Sequence, residues 1–117
     1  MIINIDYTKR CPIYEQIVTE IEREITLGIL KPNAQIPSVR TLACDLGINP
    51  NTVKKAYDIL EEKGLIISKS TKGTFISDDI SKIKDIKITE LMTNLNDIIN
   101  ELLNYGLTKE EIIKKIK

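Results

Sequence analysis

The side chains that could do chemistry in this chain are short runs of polar and basic residues, because histidine is absent. Histidine is the commonest general base and zinc ligand, so most histidine-centred catalysis is excluded. The two cysteines, Cys11 and Cys44, are far apart and form no C-x-x-C pair. We therefore expect ordinary reduced thiols, with Cys44 buried, and no four-ligand zinc site. With no glycine-rich phosphate loop and no carboxylate pair in a catalytic context, the sequence predicts no enzyme, metal or cofactor.

The most distinctive polar and basic run begins at Asn49. Asn49 is followed by Pro50, a pair typical of a helix start, and the next turns carry Asn51, Thr52, Lys54 and Lys55. Asparagine can pair with adenine edges, hydroxyls with bases or phosphates, and lysines with phosphates or guanine. A helix N-terminus adds positive partial charge toward phosphate. The run therefore fits nucleic-acid contact, although each part taken alone also fits an ordinary solvated helix face.

Three helices are predicted to position this run. The first begins at Pro12, buries isoleucines spaced four residues apart and ends near Gly28. The second is capped by Ser38 and stopped by Gly47. The third starts at Asn49 and ends at Lys63-Gly64. Its predicted inward face consists of Val53, Ala56, Tyr57 and Leu60.

A hairpin follows the third helix. Its predicted strands are Leu65–Ile67 and Thr74–Ile76, joined by the polar turn Ser68–Gly73. Lys69 and Lys72 lie at the tip, where Gly73 allows close approach. Helix, helix, tight glycine turn, helix and hairpin is the order of a winged helix-turn-helix, in which the second paired helix enters the DNA major groove.

The remaining residues predict a helical tail. A polar hinge, Asp78–Asp85, precedes a long amphipathic helix, and Thr108 with Glu111 forms the capping-box pattern of a last short helix. We expect a DNA-binding domain at 1–77 and a tail at 78–117, giving a mainly α fold with a small β-hairpin.

The apolar stripe of the tail needs a partner. It could pack on the N-terminal domain, pair with the same helix of a second chain, or lie on a membrane surface. Pairing in a homodimer is the favoured interpretation, and the membrane the weakest, because the helix lacks tryptophan and a lysine-rich polar face. The predicted dimer interface comprises Leu91, Leu95, Ile98 and Leu102. Two helices are too few to enclose a drug-sized pocket of about 300 Å³ on their own.

Composition bounds these interpretations. The chain has 117 residues, of which 42% are hydrophobic and 29% charged, a globular balance. No apolar run approaches the roughly 20 residues of a membrane helix, and the N-terminus lacks the features of a signal peptide, so we expect a cytoplasmic protein. The 17 basic and 17 acidic residues cancel. Only 38–77 is net positive, and we expect its six cations to cluster on one face.

Several stretches carry a resemblance to a known family, and they are Pro12–Ile17, Pro37–Ala43, Leu46–Tyr57, Leu60–Leu65 and Lys72–Phe75. Together they resemble the DNA-binding domain of GntR-family bacterial transcription regulators, and the Asn-Pro-Asn-Thr-Val run with the short tail resembles the YtrA subfamily. The chain differs from the family's common pattern at Thr71, where the wing often has glycine, and at Lys54, where many members have arginine.

The resemblance implies a dimeric repressor on an inverted-repeat operator, with control of nearby transporter operons and a response to cell-envelope stress. It places DNA contacts at Arg40, at the start of the third helix and at the wing tip. With the residues chosen from spacing, the predicted DNA-binding set is Ser38, Arg40, Asn49, Asn51, Thr52, Lys54, Lys55, Lys69, Lys72 and Gly73.

Two questions stay open at this point. The neutral net charge also fits a winged helix that binds protein rather than double-stranded DNA. The polar and basic start of the third helix argues against that alternative, because an apolar protein interface does not favour it. A small-molecule effector between the tail and the DNA-binding domain is neither indicated nor excluded.

Overall fold

The computed structural model describes residues 1–116, and Lys117 lies outside the described residues. The chain divides into two compact units, Met1–Ser81 and Lys82–Lys117. Each unit has its own internal contacts.

Three helices form the body of the first unit. They are α1 (Ile13–Thr26), α2 (Val39–Leu46) and α3 (Pro50–Glu62), and both α1 and α2 pack against α3. Pro12 is the residue before α1 rather than its first helical residue, which corrects the predicted start by one position. The capping residues Ser38 and Asn49 and the left-handed Gly47, with φ of 68°, are confirmed.

The wing is part of a three-stranded antiparallel sheet, one strand more than the sequence predicts. The strands are β1 (Gln35–Ile36), β2 (Ile66–Lys69) and β3 (Gly73–Ile76), in the order β1-β3-β2. The predicted first strand of the hairpin started one residue too early and ended two residues too soon. Ser68 and Lys69 extend β2 because they pair with Thr74 and Gly73 of β3.

The core of the first unit lies between the helices and the sheet. Its fully buried side chains are Ile17, Ile21, Val53, Leu60, Ile66 and Ile76. Cys44 is exposed, so the expectation of a buried thiol is wrong. The side chains that α2 buries are Leu42 and Ala43, and the residue after them turns away from that stripe.

The second unit consists of α4 (Ile83–Asn104) and α5 (Lys109–Lys115), which pack on each other. α4 begins within the segment predicted as a hinge. The capping box of Thr108 and Glu111 is confirmed, whereas Ile116 lies beyond the end of α5 rather than within it. Among the helices of the described chain, none combines the length and apolarity that crossing a membrane requires.

Candidate nucleic-acid interface

The start of α2 is fixed by Ser38. The Ser38 hydroxyl oxygen accepts a hydrogen bond from the Thr41 backbone N–H at 3.1 Å and donates to Thr41 Oγ1 at 2.9 Å. Its side chain is therefore engaged in capping. Arg40, in the first turn, is exposed, and its guanidinium has no ion pair or hydrogen bond within residues 1–116. That leaves all the Arg40 donors available to an external anion.

The turn between α2 and α3 exposes the start of α3. Asn49 Oδ1 accepts a hydrogen bond from the Asn51 backbone N–H at 2.8 Å, which leaves the side-chain amide nitrogen of Asn49 for other partners. Asn49 and Asn51 are exposed, and Thr52 is half-buried. The first turn of α3 therefore presents polar groups outward, as the sequence predicts.

A part-buried hydrogen bond ties α3 to the residue before Ser38. The Tyr57 hydroxyl donates to the Pro37 carbonyl oxygen at 2.6 Å. Burial raises the pKa of the Tyr57 phenol, which keeps the donor protonated. The sequence predicts Tyr57 on the inward face but does not indicate this bond. The bond brings the segment before Arg40 against α3.

Lys54 is held by an acidic neighbour on the same helix. Its Nζ lies 2.9 Å from Asp58 Oδ2, and both side chains are more than half exposed. The hydrogen bond and charge of Asp58, with the charge of Glu61 added, raise the pKa of the Lys54 ammonium. The sequence interpretation considered Lys54 as a free cation for DNA; the i, i+4 spacing of Lys54 and Asp58 was the available signal for the pair.

Lys55 is held by an aromatic ring of α1. Its Nζ lies 4.0 Å from the centroid of Tyr14, a cation–π distance. The Tyr14 hydroxyl donates to Glu15 Oε1 at 3.2 Å. A ring face does not neutralise an ammonium group, so Lys55 keeps its charge while its position becomes restricted. Sequence reasoning missed the role of Tyr14, because the contact joins two helices.

The wing tip is shaped by Gln35 of β1. Gln35 Nε2 donates to the Lys72 carbonyl oxygen at 3.2 Å. Gly73 has φ of 120°, and a Cβ placed there would lie 2.6 Å from Gln35 Nε2. Glycine is favoured here chiefly by the positive φ, since the Gln35 amide is the far end of a flexible side chain; this reason differs from the predicted close approach to a ligand. Lys69 Nζ lies 4.9 Å from the Phe75 ring centroid.

Residues 13–76 match the model of the bacterial regulatory proteins of the gntR family. The chain belongs to the GntR family. This match spans all three helices of the helix-turn-helix and the complete wing, and it makes the protein a GntR-type DNA-binding transcriptional regulator.

Three relatives show how far the GntR likeness extends. The HTH-type transcriptional repressor YtrA of Bacillus subtilis is 37% identical over 98% of this chain and 89% of its own length. A GntR family transcriptional regulator from Listeria monocytogenes has a TM-score of 0.74 at 34% identity, covering 97% of this chain and all of that one. The DNA-binding domain of AraR in complex with operator ORX1 has a TM-score of 0.54 at 33% identity, covering 57% of this chain and 81% of that one.

The second unit of this GntR protein carries the predicted dimer residues on α4. Leu91, Leu95 and Ile98 are 54%, 42% and 56% exposed, and Leu102 is half-buried. No residue of α4 is buried. A cleft of about 400 Å³ lies between α4 and α5, but the side chains of Ile113 and Ile116 in its wall are mostly exposed, so the two helices do not enclose it.

The six cations of 38–77 are not equally available. Lys63 Nζ lies 2.6 Å from Glu22 Oε1 on α1, where the Glu22 side chain is 7% exposed. Lys63 therefore serves the packing of α1 on α3, contrary to the expected cluster of six. Within residues 1–116 no group of three or more acidic or cysteine side chains could hold a metal ion.

Proposed function

We propose that this GntR protein is a cytoplasmic, homodimeric repressor that binds an inverted-repeat operator, with the start of α3 in the major groove. The observation that carries the proposal is the outward presentation of Asn49, Asn51 and Lys55 on the first turns of α3. Amide and ammonium groups at a helix N-terminus match the acceptors and donors of base edges and the negative charge of phosphates.

Contacts to the DNA backbone would come from the start of α2 and from the wing. Arg40 is exposed and unpaired among the described residues, and Thr52 supplies a hydroxyl beside the start of α3. The Ser38 hydroxyl would have to release Thr41 Oγ1 to donate to a phosphate. Lys69, Lys72 and Gly73 form the wing tip. Phosphate contacts fix the register of the protein on DNA, while base contacts from α3 provide sequence preference.

Dimerisation would make these few contacts sufficient for tight binding to DNA. A single helix-turn-helix module binds weakly, whereas two linked modules gain effective concentration. The apolar face of α4 offers the surface for pairing, and the two recognition helices would then lie roughly 34 Å apart to enter successive major grooves. The relative named YtrA is described as a repressor, which supports the same direction of regulation here. Control of a transporter operon rests on the subfamily resemblance.

The test is DNase footprinting on the DNA upstream of the protein's own coding region at two salt concentrations. We expect protection of an inverted repeat, with affinity that falls steeply as salt rises. Arg40→Ala and Lys55→Ala should each weaken binding of the dimer by roughly a hundredfold, because each protomer loses one charged hydrogen bond worth about 1.5 kcal/mol. Lys31→Ala, which removes an exposed cation outside the helix-turn-helix, is the control and should bind normally.

Loss of binding in both test variants, with unchanged thermal unfolding, supports the assignment. An absence of protection together with salt-independent affinity contradicts it. Such a result would favour the alternative for which the neutral net charge argues, a winged helix that binds a protein. That alternative predicts a protein partner in pull-down experiments and no footprint.

A further inference from the structure

The Lys54–Asp58 pair gains little from the electrostatics of its own helix. A helix N-terminus is positive and its C-terminus negative, so acids near the start and bases near the end are stabilising. α3 has no acidic residue in its first turn and no basic residue in its last turn. Lysine followed by an acid four residues later is also the less favourable orientation for such a pair. Helix stability therefore accounts for at most a few tenths of a kcal/mol from this pair.

The pair occupies the helix that the proposed function puts in the major groove. Lys54 lies one turn after the polar start of α3, and its Nζ is 2.9 Å from Asp58 Oδ2. Their side chains are 63% and 57% exposed. An exposed pair of this kind is weakly held and can be displaced by a stronger partner. The ammonium of Lys54 thus has a local counter-ion that DNA must replace.

Phosphates and base edges differ in what they offer this pair. A phosphate accepts from Lys54 but repels the Asp58 carboxylate. A base edge with an acceptor beside an amino group, such as guanine O6 beside cytosine N4, satisfies both side chains. A carboxylate on the recognition helix therefore lowers affinity for the backbone alone more than affinity for a matching base sequence.

We propose that Asp58 is a specificity-determining residue, which competes with phosphate for Lys54 in non-operator complexes and accepts a hydrogen bond from a base amino group in the operator complex. This inference rests on the proposed function. It predicts that the role of Asp58 operates through Lys54 and depends on the carboxylate charge.

The experiment compares Asp58→Asn with Glu62→Gln, which removes one charge from an exposed acid on the same helix. The probes are the upstream fragment that the wild type protects and a scrambled duplex of equal length and composition. For the scrambled duplex, Asp58→Asn should bind about tenfold tighter, with a log–log salt slope steeper by about 1.8, the value for one additional neutralised phosphate in each protomer of the dimer. Affinity for the protected fragment should rise less than affinity for the scrambled duplex. The specificity ratio, which is the affinity for the protected fragment divided by that for the scrambled duplex, should therefore fall about fivefold or more. In a Lys54→Gln background the gain should disappear.

Three results would overturn the inference: equal effects of Asp58→Asn and Glu62→Gln, a gain that persists without Lys54, or weaker scrambled-duplex binding by Asp58→Asn. Elution from heparin, a polyanion without base edges, separates this inference from the proposed function. If the wild type protects no upstream DNA, the proposed function fails and base recognition by Asp58 fails with it. If Asp58→Asn then elutes later than Glu62→Gln, the result supports only the claim that Asp58 competes with anions for Lys54. Equal elution would overturn that claim as well.

Discussion

Replacing Leu95 by alanine should weaken the proposed dimer without unfolding the protomer. Leu95 lies on α4 and is 42% exposed in the single chain. Leucine to alanine removes about three methylene equivalents, worth about 2.4 kcal/mol when fully buried at about 0.8 kcal/mol each. The fraction still exposed in the protomer accounts for about 1 kcal/mol of that. Since a twofold interface contains the residue twice, the dimer should lose about 2 kcal/mol.

A loss of about 2 kcal/mol corresponds to a dimer dissociation constant raised roughly 30-fold. Sedimentation velocity across a concentration series measures that constant directly. Alanine has the highest helix propensity, so helix loss does not account for a change of this size. Leu27→Ala is the matched control, because Leu27 is 60% exposed and lies at the end of α1 rather than on α4.

DNA binding provides the second readout for Leu95→Ala. The variant should require a higher protein concentration to protect both halves of an inverted repeat, while its affinity for one isolated half-site should not change. A wild-type protomer that stays monomeric at micromolar concentration would refute the reasoning. So would a Leu95→Ala dissociation constant equal to that of Leu27→Ala.

Two further predictions concern the supports of the candidate interface. Tyr57→Phe should lower the free energy of unfolding by about 1–2 kcal/mol in urea titrations, because the Pro37 carbonyl loses its buried donor. Burial raises the folded pKa of Tyr57 above the unfolded value of about 10, so its stabilisation is present below that pH and is lost as pH rises beyond it; the phenylalanine variant should lack this part of the alkaline decline. Gly73→Ala should lower the free energy of unfolding by about 1–2 kcal/mol, because φ of 120° and the close Gln35 amide both disfavour a Cβ. In a Gln35→Ala background, the loss caused by Gly73→Ala should be smaller by the part due to that contact. An equal loss from Gly73→Ala in the wild-type and Gln35→Ala backgrounds would assign the whole loss to the backbone.

The parts of the fold that the sequence predicted well are those specified by local interactions. Asn49-Pro50 starts α3 and Gly47 ends α2 because the groups involved lie within a few residues of each other. The capping box at Thr108 is local in the same sense. These signals fixed the helix-turn-helix before any tertiary contact was known.

The strand β1 could not be predicted in this way. It has only two residues, and it exists because Gln35 pairs with Phe75 across some forty positions of the chain. Two residues show no periodicity, and the Pro32-Asn33 turn just before them does not indicate which strand they pair with. Cys44 was a different kind of error, because the stripe of Leu42 and Ala43 already placed the next residue on another face of α2.

The candidate site shows the same division between features specified locally and features that depend on tertiary contacts. The outward start of α3 follows from its capping pattern, and the pairing of Lys54 with Asp58 was readable from their spacing. The ring of Tyr14 under Lys55 was not, since it depends on how α1 packs against α3. Sequence patterns thus locate the polar groups and the local restraint on Lys54, while the restraint on Lys55 comes from a tertiary contact.

These restraints explain how a neutral chain can act on DNA. Lys63 is paired with Glu22, and Lys54 is paired with Asp58. The cations left for phosphate are Arg40, Lys55, Lys69 and Lys72. Two protomers would then neutralise about eight phosphates at most, and at about 0.9 per phosphate the log–log salt slope stays above about −7. Non-specific binding of such a protein would weaken steeply at physiological salt, so in the proposed dimer occupancy of a site would require the base contacts of α3 and the link between protomers together. Neutral overall charge therefore favours selective binding, because little attraction to DNA remains where the bases do not match.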